Sequence, residues 1–278
     1  MIWPPYSPPT ASRTSPVQHH RLVPMRPTAT EAKLLGGVAT MLLPGTGSDD
    51  VYLDRVFAGP LARIGARSMT VRPQPRRLVE GYWQALDDAA DAGPIAVGGI
   101  SLGAAVAASW ALAHPDQTVA VLAALPPWNG SPRSAPGAVS ARHTAAQLRR
   151  FGLEATVELM RASSPAWLSA ELSRSWQRQW PDLAEALESA ACYEAPSLVE
   201  LERLRPPIGV VGAPDDPIHP INVARDWAAA PRYGALCTAE LAEFGPNPAI
   251  LGQTCLAALA AACDRACGPD QQEPVEET

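Results

Sequence analysis

Short apolar runs alternate with segments of helical apolar spacing from about residue 37 onward. The runs have the length and continuity of strands buried on both faces, and they lie at 38–43, 68–71, 94–98, 119–125, 208–212 and 236–241. Between them, apolar residues recur at helical spacing, as Leu78, Tyr82 and Leu86 do within 78–90. Strands that alternate with helices predict an α/β fold with a mostly parallel sheet flanked by helices.

The alternation stops between about residues 126 and 205. That stretch contains only helix-like segments, at 144–151, 154–162, 170–180 and 183–193. The strand pattern then returns at 208–212. A helical insertion between two strands of a sheet predicts a lid over one end of that sheet.

The two ends of the chain differ from the middle. Residues 1–30 are rich in Pro, Ser, Thr and His without a hydrophobic period, which predicts a disordered tail. Residues 269–278 are acidic and predict a second flexible tail. The expected organisation is therefore one α/β domain over 31–268 that contains the lid.

Charge and composition narrow the classes of function. A net charge of -6 and a pI near 5.4 argue against a nucleic-acid partner. No apolar run reaches the roughly 18 residues of a membrane span, and the first residues lack a signal-peptide pattern, so a cytoplasmic protein without a membrane partner is expected. Five cysteines without CxxC spacing predict neither a disulfide framework nor a metal site, and we expect no cofactor. The oligomeric state is left open.

Ser101 carries the strongest chemical signal. It stands in Gly99-Ile100-Ser101-Leu102-Gly103, after a strand pattern and before a helical one. Glycines on both sides permit a tight turn, and the N-terminus of the following helix offers free N–H groups to a developing negative charge. The alternative is a glycine-lined turn with a structural serine.

The segment VGGISLGAAVA (97–107) resembles the nucleophile elbow of the α/β-hydrolase family, and the resemblance covers most of the chain after residue 37. It implies that Ser101 is a nucleophile and that an acid follows the lid at a strand end. The segment VVGAPDDPIHP (210–220) resembles that acid segment, with Asp216 as the better match and Asp215 as the fallback. A solvated helix N-cap is the alternative for this pair.

The same resemblance implies an oxyanion hole. One N–H would come from Leu102, the residue after the nucleophile. The second would come from Gly45 or Thr46, in the turn that follows the first strand. An ordinary turn between strand and helix is the alternative for these two residues.

The general base departs from the family's pattern. The family places its histidine after the last strand, in the loop that here reads Phe244-Gly245-Pro246-Asn247-Pro248, and no histidine follows position 219. We therefore predict that Pro246 or Asn247 stands at that position. His219, three residues after Asp216, is the provisional base, and His143 in the lid is the second candidate. His114 ends the helix after the elbow and is excluded.

Tryptophans are frequent in the predicted lid. Trp128, Trp176 and Trp180 are candidates for an apolar wall around an acyl or aryl group. Packing of these side chains against the sheet domain is the alternative.

These residues together predict a serine hydrolase. Its partner would be a small-molecule ester or thioester of a small apolar acid, cleaved through an acyl-enzyme on Ser101. A hydrolase-fold protein without turnover that binds a small ligand or a partner is one alternative. An acyltransferase that uses the same serine is the other.

Overall fold

The protein is described here from a computed structural model over residues 33–267, so both predicted tails lie outside the described residues. Its centre is a sheet of six strands in the order β2-β1-β3-β4-β5-β6, and every neighbouring pair is parallel. The strands are β1 (Ala39–Leu43), β2 (Arg67–Thr70), β3 (Ile95–Ile100), β4 (Thr118–Ala124), β5 (Ile208–Gly212) and β6 (Gly234–Thr238). The predicted mostly parallel sheet is confirmed.

Helices connect the strands and cover both faces of the sheet. After β1 they are α1 (Asp50–Arg63), α2 (Leu78–Ala90), α3 (Leu102–Ala113), α4 (Pro136–Ser163), α5 (Ala166–Gln179), α6 (Leu183–Cys192), α7 (Leu198–Leu201), α8 (Ile221–Ala229), α9 (Leu241–Phe244) and α10 (Ala249–Cys267). Among residues 33–267 no helix is long and apolar enough to cross a bilayer.

The strands alternate their side chains between two apolar cores. On β1, Met41 and Leu43 belong to the core that includes α2 and α3, whereas Leu42 belongs to the core that includes α1 and α10. On β3, Val97 and Ala96 divide in the same way. Because successive side chains of a strand point to opposite faces, a sheet covered on both faces needs continuous apolar strands.

The regular structure of the insertion between β4 and β5 is entirely helical. It consists of α4 to α7, and no strand occurs from 126 to 205. The two predicted segments, 144–151 and 154–162, lie in α4 on either side of Gly152, whose φ of 77° and ψ of 179° are non-helical, so α4 consists of two helical segments that meet at a kink. Trp176 and Leu183 of the insertion pack into the same core as Val97 of β3.

Candidate active site

Ser101 occupies a sharp turn between β3 and α3. Its backbone has φ 54° and ψ -119°, a conformation that costs a residue with a side chain of the order of 1–3 kcal/mol. A Cβ atom at Gly99 or at Gly103 would overlap the carbonyl oxygen of Leu43 on the neighbouring strand. The two glycines of the motif are therefore required by the close approach of β1 to the turn.

Ser101, His219 and Asp216 form a continuous hydrogen-bonded relay. The Ser101 Oγ lies 2.9 Å from His219 Nε2, and His219 Nδ1 lies 2.7 Å from Asp216 Oδ2. In the tautomer that fits a carboxylate acceptor, Nδ1–H donates to Asp216 and Nε2 accepts from the Ser101 hydroxyl. The relay places a proton acceptor beside the serine and orients it.

A short loop after β5 supplies both the imidazole and the carboxylate. Asp216 Oδ1 accepts the backbone N–H groups of Ile218, at 2.7 Å, and of His219, at 3.2 Å. Such local bonds are what make Asp favourable in turns, and here they bring side chains three residues apart into contact. Ile218 is buried beneath the loop and anchors it.

The Asp216 carboxyl group is held as a carboxylate. Burial by itself raises its pKa, since the side chain is only 2% exposed. The charge and hydrogen bond of His219 and the two backbone N–H groups outweigh burial, so the pKa lies below its ordinary value. Asp216 is thus available as a negatively charged partner for a protonated His219.

Asp215 has a different partner. Asp215 is exposed, and its two carboxylate oxygens accept the backbone N–H of Leu241 at 2.9 and 3.1 Å. Asp215 therefore ties α9 to the loop that follows β5. Of the two neighbouring aspartates, only Asp216 contacts His219.

A cavity of about 90 Å³ opens beside Ser101. Its walls are mainly apolar, and they include Ile100, Leu125, Trp167, Leu172, Phe244 and Leu251. Gly45 and Thr46 border the same space, at the end of β1. A Cβ atom at Gly45 would lie 3.3 Å from the Ser101 Cβ, so the backbone of this turn passes directly beside the serine. Leu102 begins α3.

Solved structures share this architecture. An enol-lactonase from Burkholderia xenovorans LB400 is 15% identical, with a TM-score of 0.60 over 84% of this chain and 92% of that one. MenH from S. aureus is 13% identical, with a TM-score of 0.60 over 82% and 95%. An esterase from Thermogutta terrifontis is 17% identical, with a TM-score of 0.56 over 74% and 82%. The chain has the α/β-hydrolase fold. No protein-family model and no curated protein sequence matches it.

The resemblance to the α/β-hydrolase family places a histidine in the loop 244–248, and this protein has none there. Pro246 and Asn247 are exposed, and neither is among the residues that line the cavity. Phe244, from the same loop, lines the cavity instead. The two other histidines among residues 33–267 are elsewhere: His143 is exposed on α4, and His114 stacks on Trp110 at 4.6 Å.

The tryptophan prediction also needs correction. Trp128 and Trp176 are buried in the core and Trp180 is 42% exposed, and none of the three lines the cavity. The tryptophan that does so is Trp167, in the first turn of α5, which meets Phe244 edge-on at 6.1 Å between centroids. Trp167 is one of four tryptophans in the predicted lid, but the sequence pattern begins this helix at 170 rather than at Ala166 and does not show that Trp167 faces the cavity.

Helix α5 is fixed to residues 44–49, the turn between β1 and α1. Gln179 donates to the Ser48 carbonyl oxygen at 3.0 Å, and the Trp176 indole packs against Gly47. Arg174 and Arg178 bind the Asp49 carboxylate at 2.7 and 3.0 Å. The turn beside Ser101 is therefore held from the insertion side as well as from the sheet.

The described part of the chain contains no cluster of potential metal ligands. Within residues 33–267, no three side chains of His, Cys, Asp or Glu are grouped so that they could hold a metal ion. His219 and Asp216 are engaged with each other and with Ser101.

Proposed function

We propose that this protein is a serine hydrolase that cleaves an ester or thioester of a small apolar acid through a Ser101 acyl-enzyme. The observation that carries the proposal is the position of His219 between Ser101 and Asp216, at 2.9 and 2.7 Å. A serine hydroxyl becomes an effective nucleophile when a base takes its proton and an acid orients that base. The three side chains meet this requirement.

Acylation follows from the tautomer of the relay. His219 Nε2 accepts the Ser101 proton while Oγ bonds to the carbonyl carbon of the substrate. The imidazolium that forms is stabilised by Asp216, whose lowered pKa keeps it ionised. His219 then gives its proton to the departing alcohol or thiol, which leaves the acyl group on Oγ.

The negative charge on the tetrahedral intermediate needs donors in fixed positions. The Leu102 N–H lies at the start of α3, where the helix dipole favours an anion. Gly45 and Thr46 border the cavity beside Ser101 and supply the second backbone N–H. The attachment of α5 to residues 44–49 fixes this turn before the reaction begins.

The size and the walls of the cavity indicate which acyl group the substrate carries. A space of about 90 Å³ with leucine, isoleucine, tryptophan and phenylalanine walls accepts a small apolar acyl group. Helix α5 closes one side of it with Trp167 and Leu172, so the insertion acts as a lid. Deacylation uses the same relay, with His219 taking a proton from water. Esterase and lactonase are the activities in the names of two structural neighbours, which favours this reaction class.

A fluorophosphonate probe tests the proposal, since it labels only an activated serine. The expected result is one stoichiometric adduct, located on Ser101 by peptide mass spectrometry and absent from Ser101→Ala. Ser109→Ala is the matched control, because Ser109 bonds to Ala105 and Tyr193 outside the cavity. Absence of labelling together with no turnover of a panel of short-chain esters and thioesters would contradict a hydrolase and favour a ligand-binding protein.

A further inference from the structure

Tyr52 is a buried phenol whose hydroxyl group has no partner. It lies in the first turn of α1, is 9% exposed and lines the cavity beside Ser101. Among residues 33–267 no group hydrogen-bonds its hydroxyl. Two other tyrosines differ: the Tyr82 hydroxyl donates to Pro44 at 3.2 Å, and that of Tyr193 donates to Ser109 at 2.7 Å.

The Tyr52 hydroxyl borders open space. It is not among the polar side-chain atoms that are sealed off without a partner in the described chain, and the open space that the ring contacts is the cavity. The backbone at Tyr52 is held in place, because the Tyr52 N–H donates to the Asp49 side chain at 3.1 Å. When an apolar ligand fills the cavity and displaces water, the Tyr52 hydroxyl is left unpaired, whereas an acceptor on the ligand would satisfy it.

The protonation state of Tyr52 makes it a donor. Burial raises the pKa of this phenol well above its ordinary value, so it keeps its proton throughout the neutral range. Glu171 borders the same cavity, and its two oxygens are bound by Arg55 and Arg174. Because both Glu171 oxygens are already taken by arginines and the cavity walls are mainly apolar, an uncharged oxygen is the acceptor that fits Tyr52 best.

From these contacts we infer that Tyr52 is a specificity residue, which donates a hydrogen bond to a neutral carbonyl or hydroxyl oxygen on the acyl chain of the substrate. The inference rests on the proposed function and refines it. The acid is apolar over most of its length and carries one uncharged oxygen. A site built to hydrogen-bond such an oxygen rejects the analogue that lacks it, because the buried donor is then left unpaired.

Two matched esters test this inference. Para-nitrophenyl levulinate and para-nitrophenyl pentanoate have acyl chains of equal carbon number and differ by one ketone oxygen. The measured quantity is the levulinate-to-pentanoate ratio of kcat/KM. We expect Tyr52→Phe to lower this ratio about fivefold to tenfold, the effect of one hydrogen bond. Tyr193→Phe, which removes a hydroxyl outside the cavity, should leave the ratio unchanged. An equal ratio in wild type and Tyr52→Phe would overturn the inference.

A binding measurement separates this inference from the proposed function. Methyl levulinate and methyl pentanoate are titrated calorimetrically into Ser101→Ala and into the same protein with Tyr52→Phe. Tighter binding of levulinate that disappears with Tyr52→Phe supports the role of Tyr52 even if no ester is turned over. Equal affinity of the two esters for Ser101→Ala overturns it, whereas labelling of Ser101 and ester turnover would still stand.

Discussion

At Gly103 the chain passes so close to β1 that a single added methyl group would overlap the Leu43 carbonyl oxygen. Gly103→Ala is therefore expected to destabilise the protein by about 3 kcal/mol or more, since neither backbone can move without disturbing the sheet. Gly137→Ala is the matched control, because its Cβ would meet its nearest neighbour at 3.5 Å and it lies in the first turn of a helix. Urea unfolding of both variants measures the difference, and equal midpoints would contradict the steric argument.

Asp216 makes the free energy of unfolding depend on pH. Its pKa in the folded protein is lowered from its ordinary value of 3.8, so the unfolded chain binds the proton more tightly. The resulting stabilisation is complete above the ordinary value and is lost as the pH falls through the folded value. Asp216→Asn cannot titrate. The gap between the urea midpoints of wild type and Asp216→Asn should therefore shrink as the pH is lowered from about 6 to about 3. A gap that stays constant or widens would contradict this.

Individual site residues differed in how far the sequence could reveal them. Ser101, Asp216 and His219 lie in short segments whose local pattern suggests their chemistry, and the structure brings the three together. Trp167 and Tyr52 carry no such pattern, because only the packing of α5 and α1 at the end of the sheet makes them neighbours of Ser101.

At the scale of elements, strands were easier to predict than the ends of helices. The sequence pattern predicted all six strands, although β2 is not a continuous apolar run and β6 begins at Gly234 and ends at Thr238 rather than spanning 236–241. Leu241 belongs instead to α9, whose first backbone N–H is bound by Asp215. Such a cap is a contact between distant segments, and the apolar pattern does not contain it.

The attachment of α5 to Asp49 gives a prediction for the insertion. Asp49→Asn keeps a good cap for α1 but removes the charge that binds Arg174 and Arg178. We expect a loss of about 1–2 kcal/mol, below that of a fully buried pair because these arginines are 34% and 32% exposed. A boronic acid that mimics the tetrahedral intermediate should also bind more weakly, because the turn beside Ser101 is less firmly held.

Glu188→Gln is the control for that prediction. It removes a charge from the pair with Arg149, in which the two side chains are 54% and 45% exposed. An exposed pair contributes little, so its loss should leave both the urea midpoint and boronic acid binding nearly unchanged. Equal effects of Asp49→Asn and Glu188→Gln in urea unfolding and inhibitor titration would contradict a specific role for Asp49.

Across the whole molecule, the insertion and the sheet share one core. Leu172, Trp176 and Leu183 belong to the same buried cluster as Val97 and Leu102. The sequence predicted the insertion as a separate run of helices, but it could not show that the insertion completes the core of the sheet. A shared core predicts that both parts unfold together.

Unfolding in urea tests this prediction with two probes. Four of the eight tryptophans lie in the insertion, so a large part of the fluorescence change reports on it, whereas far-ultraviolet circular dichroism reports on every helix and strand. The two transitions should coincide in midpoint and in steepness. A fluorescence transition at a lower urea concentration would mean that the insertion unfolds by itself.

The assignment of His219 as the base is tested most directly by the rate at which a fluorophosphonate labels Ser101. His219→Ala should slow this rate about a thousandfold or more, because the serine loses the group that takes its proton. His143→Ala, which changes an exposed histidine on α4, should label at the wild-type rate. Labelling of His219→Ala at the wild-type rate would contradict the central claim that Ser101, His219 and Asp216 work as one unit.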